Sequence, residues 1–259
     1  MGARVLLVED NETNQLVAMT MLEKIGCRIN VANNGLEAFE LLRNAALQQK
    51  PYELVFMDLH MPVMDGFEAT ALIRSSEWGR HLPVVAMTAA AFASDRKAVN
   101  DAGMQDFVTK PIDMQHLTEV LLRWLPRCMA VEESSSSSIS TEQVVETQAT
   151  LVELNGFDLS AVRIRLDHDE DLLYLMLCQY AKDFSTWEHH FNEAYRQGDK
   201  AKLAKLLHTL KGTAANVGAT RVCGSAQALE AEILRGEDVP QPLIDDCVMA
   251  LRDSLEQLS

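Results

Sequence analysis

The chain predicts an α/β domain built on a five-stranded, doubly wound parallel (βα)5 sheet, then a flexible linker, then an all-α antiparallel helix bundle. Three observations point there. From Arg4 to Pro126, short apolar runs alternate five times with amphipathic stretches, the pattern of strands and helices in a sheet covered on both faces. From Arg127 to about Asn155 the composition turns to Ser, Thr, Glu and Gln, with too few large apolar groups to offset ordering entropy. From Phe157 onward strand signals vanish and helical periodicity takes over. The expected divisions are 1–126, 127–155 and 156–259.

In order, Arg4 to Glu9 reads as strand one and Asn14 to Ile25 as a helix. Arg28 to Ala32 is a short second strand, followed by a helix from Gly35 to about Ala46. Leu54 to Asp58 is strand three, and Phe67 to Ser75 is the helix after the Asp65-Gly66 turn. Val84 to Thr88 is strand four, with a helix near Asp95 to Ala102; Phe107 to Thr109 is strand five, with a last helix from Met114 to Leu125. The linker, Ser/Glu-rich around Glu132 to Ser138, would span about 30 Å root-mean-square and tether two domains at roughly millimolar effective concentration. Beyond it, helices are expected at Asp158 to Leu166, at Glu170 to Arg196 (a long stretch, either continuous or broken), and at Lys200 to Val217, Thr220 to Arg235 and Pro242 to Leu258, with stops at Gly198, Gly218 and Gly236.

Charge excludes some functions. The net charge is −15, and each segment is negative in its own right: 11 Lys+Arg against 16 Asp+Glu in 1–126, 1 against 5 in 127–155, and 11 against 17 in 156–259. No basic surface for nucleic acid or for an anionic membrane is expected. The cysteines (Cys27, Cys128, Cys178, Cys223, Cys247) form no CxxC pair, which points to small hydrophobes in a reducing compartment rather than a zinc site or disulfide framework. No apolar run of about 20 residues is present to span a bilayer. Met1-Gly2-Ala3 runs almost directly into strand one with no signal-peptide pattern, which suggests a piece cut from a longer polypeptide in the cytoplasm, or the cytosolic end of a membrane-anchored protein.

The chemistry gathers at strand ends. In a doubly wound sheet, Glu9-Asp10, Asp58, Thr88 and Lys110-Pro111 all fall at the carboxyl edge. Three carboxylates there would repel one another without a hard cation, and Mg²⁺ suits such an oxygen cluster. A hydroxyl and an ammonium opposite suit the oxygens of a transferring phosphoryl group. Taken singly, Glu9, Asp10 and Thr88 read equally well as polar residues at helix starts. In register on four strands, the set describes phosphoryl transfer to an aspartate.

Residues 4–126 resemble a response-regulator receiver domain, carried by the segments VLLVEDNETNQ, FMDLHMPVMDGFEAT, VVAMTA and AGMQDFVTKPI. The resemblance implies that Asp58 is the phosphoacceptor. It further implies that Asp10, Asp58 and the backbone carbonyl of His60 bind Mg²⁺, with Glu9 acting through water. Thr88 and Lys110 would hold the phosphoryl oxygens, Lys110-Pro111 would be a cis peptide, and Phe107 would be a switch aromatic following the Thr88 hydroxyl. A plain core aromatic is the other reading of Phe107. His60 departs from the amide or other polar residue common at its position. It either borders the phosphoryl group and tunes its lifetime or simply faces solvent; an unchanged hydrolysis rate in His60→Ala would discard the first reading.

In the helical part, Leu203, Leu206, Leu207, Leu210, Ala214 and Val217 form one apolar stripe. His208 points about 150° from its centre and is expected to face solvent, with Lys211, Gly212 and Ala215 sharing its face. A mid-helix glycine costs up to ~1 kcal/mol against alanine, offset here by a bare surface beside the imidazole. Lys211 would help hold an anion on the ring. His60, His81, His116, His168, His189 and His190 read as ordinary surface histidines. The segment HTLKGTAANVGA resembles the histidine-phosphotransfer (HPt) signature, and the likeness extends over about Phe157 to Leu258. It implies that His208 carries a phosphoryl group and that Lys211, Gly212, Ala215 and Gly218 shape its surroundings.

A receiver followed by an HPt domain resembles the carboxyl-terminal part of a hybrid sensor histidine kinase. Phosphate would pass from a sensor histidine kinase core, either upstream on the same polypeptide or on another, to Asp58, then to His208, then to a separate downstream response regulator. The chain has no Gly-rich nucleotide-binding region for using ATP itself. A DNA-binding regulator is disfavoured by the acidic helical part, and an aspartyl phosphatase by His60 standing where a second aspartate is wanted. The remaining rival is a docking module that regulates a kinase, with His208 used separately or as a reverse phosphate drain.

Overall fold

The computed structural model describes residues 2–88, 93–125, 154–235 and 240–258, with backbone alone at 93–96. The linker expected over 127–155 lies outside these residues except at its end. There Leu154 packs against the helical core and the Asn155 amide donates to Gln257 Oε1 at 2.7 Å.

Five parallel strands, β1 (Arg4–Val8), β2 (Arg28–Ala32), β3 (Leu54–Asp58), β4 (Val84–Thr88) and β5 (Asp106–Thr109), pair in the order β2-β1-β3-β4-β5. Helices α1 (Glu12–Lys24), α2 (Gly35–Leu47), α3 (Gly66–Ser75), α4 (Ala93–Asp101) and α5 (Met114–Trp124) cover it. The central strands read as unbroken apolar runs because both faces are buried. Alternation sends Val5, Leu7, Phe56 and Val85 towards α1 and α5, and Leu6, Val8, Val55 and Ala86 towards α2, α3 and α4. Asn11, Asn34, Asp65 and Asp113 cap α1, α2, α3 and α5 with side-chain oxygens that accept from the first-turn amides.

The second part comprises α6 (Leu159–Arg165), α7 (Glu170–Phe184), α8 (Trp187–Gln197), α9 (Lys200–Val217), α10 (Thr220–Arg235) and α11 (Gln241–Glu256). The long helical stretch expected from Glu170 to Arg196 is broken in two. Ser185 Oγ donates back to the Lys182 carbonyl at 2.8 Å, a local bond that competes with the helical ladder, and Trp187 and Phe191 stack on the far side of the break.

The two parts are packed together through α1. One face of α1 buries Val17, Met21 and Leu22 against the sheet, while the core around them runs on without a gap into the bundle. Polar contacts frame the seam: Thr13 Oγ1 donates to Asp183 Oδ2 at 2.8 Å, Gln179 Nε2 to Glu12 Oε2 at 2.8 Å, and Lys24 Nζ lies 2.8 Å from Asp169 Oδ2. Among the described residues no helix is long and apolar enough to cross a membrane.

Candidate functional site

The site starts where β1 and β3 part company, the switch point at which an open parallel sheet leaves a crevice beyond its carboxyl ends. β1 delivers Glu9 and Asp10, and β3 delivers Asp58; one oxygen from each lies within 4.8 Å of the other two. Gly66 is needed here, because a β-carbon on it would stand 2.2 Å from the Asp58 carbonyl oxygen as α3 crosses the strand end. The His60 amide donates to Asp58 Oδ1 at 3.3 Å. From β5, Lys110 reaches in ahead of a cis Lys110-Pro111 bond and places Nζ 2.5 Å from Glu9 Oε2 and 2.7 Å from Asp58 Oδ2.

The charges are strongly coupled. Burial raises Glu9 to about 7, opposed by the Lys110 ammonium and reinforced by Asp58. Burial also raises Asp10, with Asp58 adding and Lys205 and Lys110 opposing. Burial works against the charge on Lys110, yet the Glu9 and Asp58 carboxylates outweigh it and hold the ammonium above the ordinary lysine range. Thr88 is buried at the end of β4, its carbonyl accepting from the Lys110 amide at 2.7 Å. Phe107 is half-buried, with its ring edge-to-face against His116 at 6.4 Å between centroids.

Over this crevice stands α9. His208 does not face solvent. Its side chain is 30% exposed, and its ring meets that of His60 edge-on, 4.8 Å between centroids. Helical periodicity gives the direction away from a helix's own core; it cannot reveal that another domain occupies that direction. A narrow crevice is lined by Glu9, Asp10, Asn14, Asp58, Lys110, His208 and Gly212 together with their neighbours, and a larger cavity of about 390 Å³ beside it by His60, Lys205, His208 and Glu230 among others. Burial and His208 push the His60 pKa down, while Asp58 works the other way.

His208 Nδ1 lies 2.9 Å from Glu230 Oε1 on α10. A carboxylate only accepts, so the hydrogen-bond network places the proton on Nδ1 and leaves the Nε2 lone pair free. Lys211 also donates to Glu230, so its ammonium is turned to that carboxylate rather than to an anion on the ring, as had been expected. Burial would raise Glu230, but the hydrogen bonds from His208 and Lys211 prevail and hold it below the usual carboxylate range. Lys205, one turn before His208, is lowered by burial, with Asp10 and Asp58 pulling it up.

The small residues divide. A β-carbon on Gly212 would meet nothing within 4 Å, so docking itself does not require the bare surface. Ala215 offers its carbonyl to Arg165 Nη2 at 3.1 Å. Gly218 is the C-cap of α9 at φ +77°, ten residues past His208, and a β-carbon there would lie 2.7 Å from the Asp158 carbonyl oxygen. Its place is the helix end, not the surroundings of the imidazole. Glu230, Asn14, Asn216 and Lys205 went unnoticed in the sequence. Glu230 left a trace, since it falls on the apolar stripe Val222, Ala226, Leu229, Ile233.

The family model "Response regulator receiver domain" matches residues 5–122 and the "Hpt domain" model residues 176–259. Sensor histidine kinase GacS of Pseudomonas protegens is 35% identical over 237 residues, 90% of this chain and 24% of that protein. The signal transduction histidine-protein kinase BarA of Escherichia coli is 29% identical over 245 residues, 93% of this chain and 25% of that one. The chain therefore spans about a quarter of the length of these curated relatives. Among solved structures, the receiver domain of a sensor histidine kinase from Pseudomonas aeruginosa, with magnesium in its active site cleft, is 40% identical over 49% of this chain and 99% of that one, TM-score 0.43. The chain is a response regulator receiver domain followed by an Hpt domain, a pairing that fits two-component phosphorelay, and its homologues are hybrid sensor histidine kinases.

Proposed function

We propose that Asp58 accepts a phosphoryl group from the histidine of a sensor kinase core and passes it to His208, which donates it to a separate response regulator. The observation that carries this reading is that Asp58 and His208 line one crevice, with the imidazole held by Glu230 in the tautomer that frees Nε2. In the transfer, the Nε2 lone pair forms an N–P bond as the bond between phosphorus and the Asp58 carboxylate oxygen breaks. The electron pair returns to the carboxylate, and Glu230 offsets the positive charge gained by the ring. Thr88 and Lys110 hold phosphoryl oxygens, Phe107 follows Thr88 as the switch aromatic, and Lys211 acts through Glu230. Gly212 and Ala215 leave room beside the ring.

The donor set fits a hard divalent cation: three carboxylates crowd within 4.8 Å, and Glu9 is pushed to about 7 by burial despite the lysine beside it. Glu9, Asp10, Asp58 and the His60 carbonyl would hold Mg²⁺. The ion would neutralise the carboxylates and the phosphoryl oxygens. We take 1–126 as receiver, 127–155 as linker and 156–259 as HPt domain, working in the cytoplasm without nucleic acid. Incubation of Asp58→Ala and His208→Ala chains with a phosphorylated kinase core tests the route. The relay predicts an unlabelled His208 in Asp58→Ala; label there would instead favour the separate or reverse use of His208.

A further inference from the structure

We propose that Asn14 and Asn216 form a buried amide pin that sets the register of the bundle on the receiver and so positions the His208 imidazole over Asp58. The proposal rests on the relay reading above. Asn14 is 5% exposed and Asn216 2%, and Asn216 Nδ2 donates across the seam to Asn14 Oδ1 at 2.6 Å. The orientation of the Asn14 amide follows from Glu9. Its Nδ2 donates to Glu9 Oε1 at 2.9 Å, and with Glu9 ionised against the Lys110 ammonium that oxygen only accepts, so Oδ1 faces the bundle. Only a donor satisfies it there, and Asn216 supplies one. Docking thereby completes an unbroken series of hydrogen bonds from Asn216 through Asn14, Glu9 and Lys110 to Asp58.

The pin is not explained by stability. Asn216 Oδ1 is buried without a partner among the described residues, a cost that an apolar side chain would avoid. A polar pair kept at such a cost suits a register device, because any slip would leave two more amide groups unsatisfied. Its position suits the same purpose. Asn216 lies eight residues after His208, about 12 Å along α9, so the helix is fixed to the receiver at two separated points. Two points determine both its sliding and its rotation. The contacts at the rim, such as Lys24 with Asp169, are partly exposed and correspondingly weak in selecting one arrangement.

The test uses the whole chain, loaded at Asp58 with acetyl phosphate and MgCl₂. Base-labile acyl phosphate and acid-labile phosphohistidine are followed separately, so the rate is read from the decay of one into the other. Asn216→Ala should slow transfer at least tenfold, and Asn216→Asp, which keeps the shape but loses the donor, should slow it as much. Asn14→Ala should match them and carries the test if an Asn216 variant fails to fold. The Asn14→Ala/Asn216→Ala double variant should be no slower than either single one. Transfer within twofold of the parent in Asn216→Ala and Asn216→Asp, or losses that multiply in the double variant, would overturn the pin alone. A parent chain that loads Asp58 and never labels His208 would instead sink the relay reading.

Discussion

On the proposed relay, His208 owes its reactivity to a residue 22 positions away. An imidazole with both nitrogens in water has no fixed tautomer; Glu230, held 2.9 Å from Nδ1, fixes one. Glu230→Gln keeps the shape and loses the charge, so transfer from Asp58 to His208 should slow on the order of tenfold, as expected for a lost charge-assisted hydrogen bond. Rapid-quench measurement of phosphohistidine formation checks this. The same residue sets a pH signature. Its pKa is depressed in the folded state, so its contribution to stability is complete above the unfolded value of about 4.3 and disappears as pH falls through the lower folded value. The melting-temperature gap between the parent and Glu230→Gln should therefore be steady near neutrality and close below about pH 4. His208 was legible in the sequence because its neighbours share one helix face. Glu230 was not, since the pairing of α9 with α10 is a tertiary fact.

At the scale of elements, α9 carries His208 and its end is set by Gly218. The glycine takes φ +77°, and a β-carbon would press 2.7 Å from both the Asp158 carbonyl oxygen and Val162 Cγ2. Gly218→Ala combines a left-handed backbone with a clash, and should cost about 1–3 kcal/mol of bundle stability. Urea unfolding followed by far-UV circular dichroism should show the helical transition moved to lower denaturant. The limits of α9 and α10 follow directly from periodicity and glycine stops. The place of the division between α7 and α8 does not, because the apolar spacing of Phe184, Trp187 and Phe191 continues across Ser185 and Thr186, and the break depends on a hydroxyl choosing the Lys182 carbonyl. α1 misleads in a different way. Leu16 and Met19 lie off the stripe that faces the sheet, yet both are partly buried against the core that runs on into the bundle.

The whole molecule brings Asp58 and His208 to one crevice within one chain. If the packed arrangement is the one that transfers, the rate from Asp58 to His208 should not depend on protein concentration. A phosphorylated His208→Ala chain mixed with an Asp58→Ala chain should label the second only slowly, at a rate proportional to concentration, because the docked domains of each chain cover the sites needed. Equal rates in the mixture and the parent would show transfer between chains. The sequence by itself determined the two folds, their order and the chemical groups at each site. Strand alternation, helix periodicity and caps are local and survive in a single chain of letters. Asp58, Lys110 and Thr88 could be grouped because every parallel strand of one sheet ends at the same edge. Only the tertiary structure decided that His208 turns to that edge, that Glu230 holds its proton, and that Asn14 meets Asn216 202 positions away. Those contacts join surfaces whose facing is set by packing across a seam, and no periodicity within either domain encodes the partner on the other side.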